Sequence, residues 1–127
     1  MKKKILAAFM AATMVAGMSA INLAAKEEAR DLITVGFSQV GAESDWRTAN
    51  TESMQTTFSE ENGYELIFSD AQQKQENQLT AVRNFIQQEV DYILLAPVTE
   101  TGWDTVLQEA KDAGIPVIIV DRMVDVS

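Results

Sequence analysis

The chain has 127 residues, enough for one modest core, and is 46% hydrophobic and 23% charged, an ordinary globular composition. A formal net charge of -9 disfavours nucleic-acid binding, which needs clustered Lys and Arg. With no histidine and no cysteine, imidazole acid–base catalysis, thiol chemistry and Cys/His zinc sites are excluded.

The opening segment, MKKKILAAFMAATMVAGMSA, carries Lys2, Lys3 and Lys4, then an apolar run from Ile5 to Met18, then small residues. That order is the pattern of a secretory signal peptide. Ala20 and Ala25 are both suitable cleavage positions. Ala25 is preferred because the polar stretch KEEARD follows it, giving a signal peptide over 1–25 and one domain over 26–127. The apolar run is shorter than the ~20 residues of a membrane span, so no membrane anchor is expected. There is no cysteine to carry a lipid, and the expected location is the periplasm, free in solution.

The remainder alternates. LITVGFS (Leu32 to Ser38) reads as a strand leading into a glycine-containing loop. Trp46 to about Asn62 reads as a helix, with Trp46, Ala49, Ser53, Met54, Thr57 and Phe58 on its inward stripe and Gly63 as its stop. YELIFS (Tyr64 to Ser69) is a second strand. Ser69 or Asp70 is expected to cap the next helix, Gln75 to Gln88, whose apolar face is Leu79, Val82, Phe85 and Ile86. DYILLA (Asp91 to Ala96) is a third strand, ended by Pro97. TGWD (Thr101 to Asp104) fits a capping box, and Trp103 is expected to pack rather than meet a ligand. A third helix runs to about Ala113, and PVIIV (Pro116 to Val120) is a fourth strand.

Such alternation with short connections predicts an α/β fold, a parallel sheet with helices on both faces. The third and fourth strands have the continuous aliphatic runs of strands buried on both faces. With the order 2-1-3-4, the winding reverses between the first and third strands, and ligands bind outside the carboxyl ends there. The loops SQVGAESDWR, APVTETG and DRMVD then face one crevice. Asp121 can accept hydrogen bonds from neighbouring hydroxyls, and Arg122 and Arg47 can donate from a fixed plane. Trp46 can lie flat on the C–H face of a sugar ring. Gln39, Glu43 and Ser44 are polar candidates in the same loop. The residue types alone equally allow Asp121 as a turn cap, Arg122 as a solvated charge and Trp46 as a core residue. VGAES has neither Walker nor dinucleotide spacing, and no acidic cluster has a metal pattern.

VGFSQVGAESDWR, DAQQKQENQLTAVRNF, APVTETGW and AKDAGIPVIIVDR, in that order, resemble the N-terminal lobe of periplasmic sugar-binding proteins of the ribose/galactose type. The resemblance implies a type I periplasmic binding protein that captures a monosaccharide and delivers it to the membrane permease of an ABC importer. It implies a hexose, with galactofuranose as the candidate, bound by Trp46, Arg47, Asp121 and Arg122, with Gln39 and Ser44 as weaker carry-overs. It implies no cofactor and no catalytic residue. Gln72 and Gln73 fall in a family segment whose role the sequence leaves open. The second lobe of that family has no counterpart in these 127 residues, so an N-terminal fragment is expected, with half a cleft, an uncovered apolar edge on the fourth strand and weak or absent sugar affinity of its own.

Three rivals are weighed against this. A sugar-responsive regulator of the same fold needs a helix-turn-helix and a basic surface, and a truncated product would have no function. A phosphoacceptor receiver needs an aspartate at the carboxyl end of the third strand, whereas Asp91 begins it. A histidine-free enzyme needs a nucleophile with a partnered base, and none is evident.

Overall fold

A computed structural model describes residues 31–126 of the chain. The expected signal peptide and its cleavage position lie outside the described residues. In chain order the elements are β1 (Ile33–Gln39), α1 (Asp45–Thr57), a 3-10 turn (Glu60–Asn62), β2 (Tyr64–Asp70), α2 (Gln75–Gln87), β3 (Tyr92–Leu95), α3 (Asp104–Asp112) and β4 (Val117–Ile119). All strand pairs are parallel and the order is β2-β1-β3-β4. The reversal of winding therefore falls between β1 and β3, as the alternation predicts.

Strand alternation sorts the side chains onto two faces. Val35, Phe37, Leu94 and Ala96 face the layer that holds Met54 and Phe58 of α1. Ile93 and Leu95 face the layer formed by Val82 and Phe85 of α2 and Val106 and Ala110 of α3. One helix thus covers one face and two cover the other. Trp103 is fully buried in the second layer, and its Nε1 donates to the Thr99 carbonyl at 2.8 Å, so the expected packing role holds.

Five details depart from expectation. The inward side of α1 carries Arg47 rather than Trp46, Ala49, Ser53 and Thr57, all of which are exposed. Its last stretch tightens into the 3-10 turn, which Gly63 closes at φ +90°. Neither Ser69 nor Asp70 caps α2, because both still belong to β2; Asp70 instead accepts the Gln72 amide at 2.8 Å. Thr101 is not the N-cap of α3. Trp103 holds the N-cap position of α3 without a side-chain cap, and the Thr101 carbonyl accepts from Gln75. Finally, β3 is buried on both faces from Ile93 to Leu95 but β4 is not, since Ile118 keeps 47% of its surface. Ile33, Phe68, Tyr92 and Ile118 all lie on the α1 face, which one helix is too narrow to cover.

Gly36 makes the α2 contact possible. A Cβ there would lie 2.5 Å from the Phe85 ring. Gly36→Ala should therefore cost about 1–3 kcal/mol of stability through overpacking, measured by urea unfolding. Adding Phe85→Leu to it should lose less than the sum of the two single changes; strictly additive losses would show that the clash is not the cause.

Candidate functional site

The site is built at the carboxyl ends of β1, β3 and β4. Ser44 starts α1: its backbone is extended and its hydroxyl accepts the Arg47 amide at 3.1 Å. Its carbonyl accepts both the amide and the hydroxyl of Thr48. This cap sets the helix phase. Consecutive helical residues point about 100° apart, so Trp46 and Arg47 diverge. Trp46 stays 56% exposed, while the Arg47 side chain keeps only 5% of its surface.

A buried guanidinium needs partners on most of its donors. Arg47 Nη1 donates to Asp121 Oδ2 at 2.8 Å and to Gln39 Oε1 at 3.3 Å, and Nε donates to Glu43 Oε1 at 3.0 Å. Burial alone would lower the Arg47 pKa; the hydrogen bonds to Asp121, then Glu43, outweigh that and raise it. Gln39, itself fully buried, is oriented in turn. Its Nε2 donates to Asn50 Oδ1 at 2.9 Å and Thr51 Oγ1 at 3.1 Å, so its Oε1 must face Arg47 and the Val40 amide. The Arg47 Cζ also lies 5.0 Å from the Trp46 ring centroid, within cation–π range.

Asp121 reaches this cluster from the far end of the chain. Directly after β4 it adopts φ +72°, the left-handed region that aspartate tolerates better than most residues. Arg122 follows with its side chain 52% exposed. Its Nε is 3.8 Å from Asp121 Oδ2, and its Nη1 donates to the Val98 carbonyl at 3.4 Å.

The structure therefore brings Gln39, Arg47, Asp121 and Arg122 together and sets Trp46 beside them. Ser44 is occupied as a helix cap. Gln72 and Gln73 both have positive φ and are exposed, and the Gln73 amide donates to the Val40 carbonyl at 2.7 Å. Sequence reasoning missed Asn50 and Thr51. Their spacing of three and four from Arg47 was the available signal, masked by reading Trp46 as the inward residue. Both ionic contacts of Asp121 use Oδ2, and its Oδ1 can accept hydroxyls. Arg122 can donate to oxygens, and Trp46 offers a flat apolar face. No group of three or more acidic side chains among the described residues is placed to hold a metal ion. No helix among them is long and apolar enough to cross a membrane.

The network makes two checkable demands. Arg47→Met should cost about 2–3 kcal/mol in urea unfolding, because it leaves two carboxylates without their cation, and Arg47→Lys should fall between because it lacks the planar fork. The second demand concerns acid. Hydrogen bonding to backbone at Glu43 outweighs the opposing cost of burial and, with the Arg47 guanidinium adding to it, holds the Glu43 carboxyl below its ordinary 4.5. Its contribution is thus complete above about pH 4.5 and is lost as pH falls through the lowered folded value. Glu43→Gln should remove that part of the acid limb and Arg47→Met only some of it; an unchanged limb in Glu43→Gln would mean the contact is absent in solution.

Residues 35–126 match the family model described as a periplasmic binding protein domain. The chain is 53% identical over 111 residues to the galactofuranose-binding protein YtfQ of Escherichia coli (strain K12), covering 87% of this chain and 33% of that protein. Among solved structures it is similar to the periplasmic binding protein component of the arabinose ABC transporter from Shewanella sp. ANA-3, bound to α- and β-L-arabinofuranose. Identity there is 60%, the TM-score 0.70, and coverage 74% of this chain and 31% of the other. A Mycobacterium smegmatis protein in complex with β-D-fucofuranose is likewise 60% identical, with TM-score 0.72 over 75% of this chain and 31% of its own. The chain thus spans about a third of the length of each.

Proposed function

This chain belongs to the periplasmic binding protein family, and we propose that it forms the N-terminal lobe of an exported carrier that captures a furanose sugar and hands it to an ABC importer's permease. The carrying observation is a charge-balanced cluster beneath an exposed indole. Arg47 and Arg122 contact Asp121, and Arg47 also contacts Glu43. Two cations and two anions cancel, so the site has no surplus charge for an anionic ligand. An uncharged polyol suits it, because hydroxyls both donate and accept.

The names of three relatives support the ring form. The Escherichia coli protein is named for galactofuranose, and the solved structures hold arabinofuranose and fucofuranose. Their shared feature is a five-membered ring, which fits one indole face with hydroxyls reaching outward. Galactofuranose, a hexose, remains the ligand proposed here. Binding without turnover follows from the same cluster, in which every member is a recognition group and none is a nucleophile with a partnered base. Export to the periplasm rests on the opening lysines and apolar run.

The test is a titration of the protein, at its full encoded length, with D-galactose, L-arabinose and D-galacturonate, following tryptophan emission. The neutral sugars should give a saturable change, the uronate none, and no sugar should be converted. Asp121→Asn and Arg122→Ala should each weaken binding about tenfold, the worth of one charge-assisted hydrogen bond. Equal binding of the uronate, or affinity indifferent to both substitutions, would overturn the proposal.

A further inference from the structure

The segment DAQQKQENQ before and within α2 has no part in the cluster, yet it carries a fully buried glutamine. Gln78 uses both ends of its amide. Its Nε2 donates to the Ala96 carbonyl at 2.7 Å, and its Oε1 accepts the Val98 amide at 2.8 Å. These bonds straddle Pro97, which has no N–H to give. One side chain thus replaces the strand pairing that β3 loses where it ends. Gln75 adds a second tie, donating to the Thr101 carbonyl at 2.7 Å.

The loop so held carries the cleft's outermost residues in turn. The Val98 carbonyl, on the residue whose amide Gln78 binds, accepts from Arg122 at 3.4 Å. The Glu100 carbonyl accepts the Asp125 amide at 2.7 Å. Arg122 is half-exposed and Asp125 exposed, so neither is packed in place by a core. The loop supplies hydrogen bonds to both, beside the packing of Val124 against the core, and α2 holds the loop's first half while Trp103 holds Thr99.

We propose that Gln78 is a positioning residue for the ligand cleft. Its amide locks the loop after β3, and that loop fixes Arg122 and the chain beyond it. The link to sugar binding rests on the function proposed above; the mechanical link from Gln78 to Asp125 does not.

The test is amide hydrogen exchange on the wild-type chain and on Gln78→Leu, which keeps the bulk and removes both hydrogen bonds. Protection of the Val98 and Asp125 amides should fall about tenfold or more, while that of Ile93, within the sheet, should not change. A residue that merely fills space would instead lower all three together. Where Gln78→Leu does not fold, Gln75→Ala carries the test, with about a fivefold loss at Asp125 from removal of one bond. D-galactose affinity at full encoded length should fall about tenfold in Gln78→Leu. Loss at Val98 with unchanged protection at Asp125 overturns the proposal, as does uniform loss. A wild-type protein that binds no sugar but shows the selective pattern would sink the sugar reading and leave Gln78's positioning role standing.

Discussion

A guanidinium that keeps 5% of its surface is the constraint on which this lobe depends. Removing such a group from water is costly unless its donors are met. Gln39 and Glu43, from the end of β1 and the loop after it, and Asp121, from beyond β4, meet them. Arg47 and Asp121 are 74 positions apart in sequence, so their contact closes the largest loop in the site. The pair can form only if β1 and β4 end at the same level and α1 starts with the right phase. Parallel register supplies the first condition, with Phe37 beside Leu94 and Leu94 beside Ile118. The Ser44 cap supplies the second.

Asp121 bears the conformational cost. A non-glycine residue at φ +72° is disfavoured, and such residues persist where surroundings over-determine them. Here the surroundings are a 2.8 Å ion pair on the side chain and a 2.8 Å bond from the next amide to the Val120 carbonyl. Glycine would accept the backbone but could not meet Arg47. The position therefore needs an acid that tolerates the left-handed region, and aspartate, with its short side chain, meets both demands.

Much of this was legible beforehand, and the failures have a common origin. Alternating runs such as LITVGFS and DYILLA, with Gly63 as a stop, were enough for the parallel α/β alternation, and the order 2-1-3-4 taken with it is the one observed. The helix phases were read by hydrophobicity, which works where the buried side is apolar. It worked for Val82 and Phe85. It failed for α1, whose inward side is Arg47, Asn50, Thr51 and Met54, and whose largest apolar residue, Trp46, faces solvent. It also passed over Gln78, although 78, 82 and 85 are spaced as one helical face. The TGWD reading misplaced the cap because Gly102 turns at φ +87° and Trp103, not Thr101, holds the N-cap position. In both helix faces a buried or half-buried polar group took a place that a hydrophobic count reserves for carbon.

That pattern bears on how the site recognises a ligand. Arg47 is largely committed to protein partners, so its main effect is to hold Asp121 and Gln39 in place before a ligand arrives. A carboxylate fixed through one oxygen presents the other at a set angle and loses little freedom on binding. In the function proposed above, recognition falls to the groups left accessible: Trp46 at 56% exposure, the half-exposed Arg122 and the second oxygen of Asp121. The stiff part of the site is thus built from buried polar residues, and the accessible part from one indole and one guanidinium that share Asp121 and Arg47 as their floor. On that proposal, a site so divided would keep its geometry when the ligand changes in outline, because its buried contacts are made within the protein. Galactofuranose, for which the Escherichia coli relative is named, and the arabinofuranose and fucofuranose held in the two solved structures differ in what projects from the ring and agree in the ring itself.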